Sequence, residues 1–130
     1  MPKKDLILLA LEESHILKLM DRALQAVNYD TAIASDMKAL SRLLQETSPA
    51  LLMVAERFDG HDGLVIVEEL LERFPTLPFL MYTEKVTPEF ANRVFRLGSA
   101  GYLAPPLRRR DMLGTVEGAL KHAHRVGDWL

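Results

Sequence analysis

Cysteine is absent from this chain, and with it go disulfides, thiol nucleophiles and cysteine-based zinc sites. That absence fits a reducing cytoplasm, which is the compartment we expect. Long apolar runs are absent too. The start, Met1-Pro2-Lys3-Lys4-Asp5, leads into only six apolar residues, Leu6 to Leu11, too few for a signal-peptide core or a membrane span. Neither sign of charge is in excess. The net charge of −2 gives no general reason to expect direct nucleic-acid binding or adsorption to a membrane. There is no repeat, low-complexity tract or internal linker. What remains, 48% hydrophobic and 26% charged over 130 residues, is the balance of one ordinary globular domain with a sizeable core.

Apolar runs alternate with helix-period segments about five times along the chain. Leu6 to Leu11, Leu51 to Ala55 and Phe79 to Tyr82 are continuous apolar runs of strand length, as suits strands covered on both faces. Thr31 to Ala34 and Gly101 to Leu103 are weaker strands. Between them, Ile16, Leu17, Met20, Ala23, Leu24 and Val27 recur at helical spacing. Ser35 reads as the N-cap of a helix using Leu40, Leu43 and Leu44. Leu64, Val67, Leu70, Leu71 and Phe74 form the next stripe, stopped by Pro75. Thr87-Pro88 opens a helix that uses Ala91, Val94 and Phe95 and ends at Gly98. The last helix begins near Arg109 and carries Leu113, Val116 and Leu120. The order βαβαβαβαβα predicts a parallel sheet with right-handed crossovers. In such sheets ligands sit beyond the carboxyl ends of the strands, so the informative loops follow Leu11, Ala55, Thr83 and Leu103.

Those loops carry a resemblance. Ile7 to Ser14, with Glu12-Glu13 after the first strand, is similar to the start of a response-regulator receiver domain. Pro49 to Ala55 resembles the strand that ends in that family's phosphoaccepting aspartate, and His61-Asp62-Gly63-Leu64 its opening of the third helix. Leu77 to Thr83 is similar to the strand that ends in the family's Thr/Ser, and Leu97 to Leu107 to the stretch around its fifth strand. The resemblance spans essentially the whole chain. It implies a flavodoxin-like, CheY-like α/β fold: a doubly wound, five-stranded parallel sheet of order 2-1-3-4-5 with helices on both faces. It also implies one domain over residues 1–130, or the N-terminal part of a longer multidomain signalling protein.

The departures from the family pattern are chemical. Counting back seven residues from Asp62 places the phosphoacceptor position at Ala55, whose methyl group cannot form an acyl phosphate. The first acidic position becomes Leu11, Glu12 keeps the second, and Pro105 stands where the family has its lysine. Thr83 and Tyr102 match the family's switch Thr/Ser and aromatic residue. Phosphoryl transfer needs a nucleophile, a metal and cationic neutralisation of the phosphate oxygens, and the first and last are missing here. Glu12 is a weak metal candidate on its own, because magnesium takes several oxygen ligands in near-octahedral geometry. We therefore expect no cofactor and no catalytic residue, and do not expect an enzyme.

Each remaining feature has a plainer alternative. Glu12 and Glu13 are cation ligands or a solvated acidic loop. Arg57 is a built-in cation paired with them, or an exposed arginine worth little. Glu56, Asp59 and Asp62 are substitute acceptors or, as the better reading, loop and turn residues, since a displaced carboxylate loses the in-line geometry. Tyr102 is a partner-controlled surface group or a static edge aromatic. Arg108-Arg109-Arg110, at a helix start where the dipole disfavours cations, is a solvated cluster or pairs with Glu84 or Glu89. Ala104-Pro105-Pro106 is expected to hold a structural cis peptide before Pro106. His15, His61, His122 and His124 read as surface histidines, and Trp129 as a packed end or the start of a continuation.

The resemblance leads to a pseudo-receiver: a phosphorylation-independent interaction module of two-component signalling. It implies a histidine kinase or output domain as partner, and a homodimer through the face of the fourth helix, fifth strand and fifth helix. That face draws on Arg93, Arg96, Tyr102, Arg108, Arg109 and Asp111. The alternative is a phosphorylatable receiver with a non-standard carboxylate acceptor and magnesium. A flavodoxin-like cofactor binder is disfavoured, since Glu12-Glu13-Ser14-His15 replaces the phosphate loop such a protein needs after its first strand.

Overall fold

The computed structural model describes residues 4–12, 14–99 and 101–129, with the backbone alone over 122–129. Its elements run β1 (Leu6–Ala10), α1 (His15–Ala26), β2 (Asp30–Ala34), α2 (Met37–Glu46), β3 (Leu51–Ala55), β4 (Arg57–Phe58), β5 (His61–Asp62), α3 (Gly63–Arg73), β6 (Phe79–Tyr82), α4 (Pro88–Arg96), β7 (Tyr102–Leu103) and α5 (Arg109–Trp129). The main sheet has the order β2-β1-β3-β6-β7 with every pair parallel. This is the expected doubly wound sheet; β7 is its fifth strand.

Alternation within each apolar strand divides the core in two. Ile7, Leu9, Leu51, Met53, Leu80 and Tyr82 meet α1 and α5 through Leu17, Met20, Leu24, Met112 and Val116. Leu8, Ala10, Leu52, Val54, Phe79 and Met81 meet α2, α3 and α4 through Leu40, Leu44, Leu64, Val67, Phe90 and Val94. Successive side chains point to opposite faces, so a strand covered on both sides must be apolar at every position.

Helix starts follow their caps. Ser14 accepts from Leu17 N at 3.2 Å and Thr87 from Phe90 N at 3.1 Å. The N-cap of α2 is Asp36, which accepts from Ala39 N at 2.7 Å, and not Ser35 as the sequence suggested. A second carboxylate joins it: Asp59 Oδ2 accepts from Met37 N at 2.9 Å. Two orphan amide donors of one helix end are thereby satisfied, one of them from a loop 22 residues away.

Two expected core positions lie outside. Val27 is 44% exposed, as the C-cap of α1. Phe95 is 82% exposed. Phe90 and Val94 define the inward face of α4, and the next residue lies about 100° further round the helix.

The short β4–β5 pair is an element the sequence reading did not anticipate. Asp59 and Gly60 were read as turn formers, and they are: φ is 50° and 76°, as a two-residue type I′ hairpin turn requires. Phe58, fully buried, anchors this hairpin in the second core. The peptide bond between Pro105 and Pro106 is cis, as expected.

Candidate functional site at the carboxyl end of the sheet

β1, β3, β6 and β7 run parallel and end together, so the residues that follow them converge. A cleft of about 400 Å³ opens there, lined by Leu11, Glu12, Ser14, Ala55, Glu56, Arg57, Tyr82 and Glu84. Of the expected pocket residues, Glu12, Ala55 and Arg57 meet in it. Leu11, just after β1, is a buried core residue, 3% exposed. Glu12 and Arg57 are exposed and, among the described residues, form no ion pair, so the built-in pairing of Arg57 with Glu12 is not made. The long side chain of an exposed arginine gains too little from such a pair to be held in one geometry. Glu13 lies outside the described residues. Pro105 is exposed at the turn after β7 and is not among the residues lining the cleft.

Ala55 closes β3 in register with Tyr82 of β6, and the backbone makes the floor. Glu56 N donates to Tyr82 O and Gly63 N donates to Glu56 O, both at 2.7 Å. The start of α3 is drawn so close to β3 that a Cβ on Gly63 would stand 2.0 Å from the carbonyl oxygen of Ala55. Only glycine fits there, a demand for space and not for backbone conformation.

Thr83 is 1% exposed and is the buried polar side chain of the described core. An unpaired buried hydroxyl would cost about 1–3 kcal/mol. Its hydroxyl faces the carboxylate of Glu56 and, at 3.1 Å, the carbonyl oxygen of Lys85, and its oxygen accepts from Lys85 N at 3.2 Å. Sequence reading placed Thr83 in the pocket but missed this partner. The signal available was that Glu56 directly follows Ala55 at the end of β3. Beside it, Tyr82 donates to Glu84 at 3.0 Å. Burial, then this hydrogen bond and the charge of Glu84, push the Tyr82 phenol up from 10.0 to about 12.

The substitute-acceptor candidates all hold structural posts. Glu56 serves Thr83, Asp59 caps α2, and Asp62 accepts from Leu64 N at 2.8 Å while its second oxygen meets Arg93 at 3.2 Å. Among the described residues, no group of three His, Asp or Glu side chains is arranged to hold a metal ion. With Ala55 contributing no side-chain oxygen, the donors among the described residues do not fit a hard cation that wants several oxygen ligands.

The expected interface residues do not all share one face. Arg93 turns to Asp62 at the start of α3, and Arg109 lines a separate cleft of about 290 Å³ with Leu19, Arg22 and Met112 between α1 and α5. Helix geometry sends them elsewhere, since adjacent helical positions diverge by about 100°. Arg96, Arg108 and Asp111 are exposed, and Tyr102 is 41% exposed with its ring edge-on to Phe90 at 6.1 Å. Exposed Phe95 is on the same helix as Arg96 and was not foreseen as a surface residue. Among the described residues, Arg108, Arg109 and Arg110 make no ion pair with Glu84, Glu89 or any other carboxylate. The side chains of His122, His124 and Trp129 lie outside the described residues.

The family model for the response regulator receiver domain matches residues 7–117. The chain belongs to the response regulator receiver domain family. This receiver domain is 25% identical over 108 residues to the transcriptional regulatory protein ZraR of Escherichia coli K12, covering 83% of this chain and 24% of ZraR. It is 27% identical over 112 residues to the DNA-binding transcriptional regulator NtrC of Klebsiella pneumoniae (85% and 24%). With the photosynthetic apparatus regulatory protein RegA of Rhodobacter capsulatus it shares 26% over 110 residues (85% and 60%). The receiver domain thus spans about a quarter of the length of ZraR and NtrC. In fold it is similar to NtrX from Brucella abortus, with a TM-score of 0.87 at 22% identity, covering 98% of this chain and 30% of that one. A CheY-like receiver from Methanospirillum hungatei gives 0.85 at 18% identity, covering 95% and 98%. No helix among the described residues is long and apolar enough to cross a membrane.

Proposed function

We propose that this chain is a pseudo-receiver: a phosphorylation-independent protein-interaction module of two-component signalling. The observation that carries the proposal is Ala55 at the end of β3, where a methyl group stands in the place a phosphoacceptor would need a carboxylate. Pro105, at the position of the family's lysine, supplies no charge to neutralise a phosphoryl group. The neighbouring carboxylates of Glu56, Asp59 and Asp62 are engaged in hydrogen bonds, which argues against a substitute acceptor with magnesium. In this reading the domain is not an enzyme and takes no cofactor.

Its partners are then other signalling proteins of the cytoplasm: a histidine kinase, an output domain or a second copy. That this chain covers only 24% of ZraR and of NtrC supports reading it as the N-terminal part of a longer protein, with output functions such as DNA binding carried elsewhere. The contact face is the open edge of α4, β7 and α5, through Arg96, Tyr102, Arg108 and Asp111, with Phe95 as an apolar anchor.

The test is an amide NMR titration with Mg²⁺ and then beryllofluoride as phosphoryl mimic. The expected result is no saturable shift around Glu12, Ala55 and Thr83. Saturable, Mg²⁺-dependent shifts in that cleft would mean that a nearby carboxylate has replaced the missing aspartate, and the proposal would fall.

A further inference from the structure

We propose that Glu56 is a built-in occupant of the cleft: its carboxylate takes the Thr83 hydroxyl and fixes the turn after β6 without any added ligand. The inference rests on the pseudo-receiver reading and adds what holds that side of the cleft when no phosphoryl group does.

Three observations converge on it. The first is need. Thr83 is 1% exposed, and a hydroxyl this deep requires a partner. The second is preparation. Glu56 is held through both backbone groups, its N–H to Tyr82 O and its carbonyl to Gly63 N, each at 2.7 Å. The carboxylate therefore leaves from a fixed point, and little further ordering is needed to reach Thr83. The third is that no other carboxylate competes, the remaining acceptor near the hydroxyl being the Lys85 carbonyl oxygen, a neutral group 3.1 Å from Thr83 Oγ1. The other carboxylate on this side, Glu84, already receives the Tyr82 hydroxyl at 3.0 Å.

The result is a relay across the end of the sheet. Glu56 takes the Thr83 hydroxyl, and Thr83 Oγ1 takes Lys85 N–H at 3.2 Å. Thr83 N–H donates to Leu103 O at 3.0 Å, which ties the same residue to β7 and its exposed Tyr102. Hydrogen bonds to an ionised acceptor are among the strong ones. The turn is then set by the sequence alone, and the adjoining α4–β7 surface presents one arrangement whatever phosphate donors are present.

The Lys85 amide reports on the relay. Hydrogen exchange followed by NMR, with no magnesium or phosphoryl mimic present, compares the full chain with Glu56→Ala, Thr83→Val and their double variant. The expected outcome is a rise of about tenfold in Lys85 exchange in either single variant, with no further rise in the double. The amides of Thr83 and Gly63, bonded to backbone carbonyls, stay within about twofold. Unchanged Lys85 exchange in Glu56→Ala, or single effects that multiply in the double variant, would overturn the proposal. If Glu56→Ala does not fold, Glu56→Gln decides. Loss of the charge roughly halves such a bond, so a rise of about threefold supports the relay and no rise defeats it. Because no phosphoryl mimic is added, failure of the relay in this experiment is distinguishable from failure of the pseudo-receiver reading in the beryllofluoride titration.

Discussion

Replacing Gly63 by alanine tests the closest approach in the site. The new Cβ would meet the Ala55 carbonyl oxygen at 2.0 Å, its carbon at 3.0 Å and the Met81 terminal methyl at 3.1 Å. The methionine end can swing away, but the carbonyl belongs to the central strand of the sheet. Reaching ordinary contact needs a retreat of about 1.4 Å by α3 or β3. That retreat strains the Gly63 N to Glu56 O bond, now 2.7 Å. Overpacking costs about 1–3 kcal/mol and the bond about 0.5–1.5 kcal/mol. We expect a loss of about 2–4 kcal/mol. At roughly 3–5 °C per kcal/mol for a chain of this size, Tm falls by about 10 °C. Gly114→Ala is the matched control, because it lies inside α5 with nothing within 4 Å of the added Cβ. Relief of the glycine penalty should raise stability by about 0.5–1 kcal/mol. Urea and thermal unfolding by circular dichroism read both variants. Opposite signs are required. A Gly63→Ala protein within about 0.5 kcal/mol of wild type would refute the close packing of α3 on β3.

Further substitutions test the helices and the Tyr82 environment. Phe90→Ala should cost about 3–5 kcal/mol in urea unfolding, whereas Phe95→Ala on the same helix should stay within about 0.5 kcal/mol, since one ring is buried and the other is 82% exposed. An equal loss in both would contradict the observed orientation of α4. Asp36→Ala should cost about 0.5–2 kcal/mol through the α2 cap. Asp59→Ala should add to that loss in the double variant, because each carboxylate serves a different amide. Tyr82 should ionise near pH 12 in an absorbance titration, and Tyr82→Phe should remove that phase. The sign follows from linkage. The folded phenol has the higher pKa, so its contribution to stability is complete below pH 10 and is lost as pH rises from 10 towards 12.

The order of strands and helices was legible because strands buried on both faces must be apolar throughout, while helices show their 3.6-residue stripe. Leu51 to Ala55 and Phe79 to Tyr82 were read to the residue for that reason. Motif spacing placed Glu12, Ala55 and Arg57 where the structure has them line one cleft, whereas Thr83 is buried and neither it nor Pro105 is among the lining residues. Spacing cannot assign partners. Ser35 and Asp36 are both competent caps, and only the chain's entry angle into α2 selects Asp36. Phe95 looked like core because apolar residues at 91, 94 and 95 all suit one broad stripe, and only the docking angle of α4 puts it outside. Arg93 and Arg109 left the expected face for Asp62 and the α1–α5 cleft because their directions depend on what packs beside each helix. The same holds for Glu56. That residue 55 carries no carboxylate is written in the chain itself, a matter of composition. That the next carboxylate turns to a buried threonine 27 positions away was decided only when β3 and β6 paired side by side and left the Thr83 hydroxyl without water.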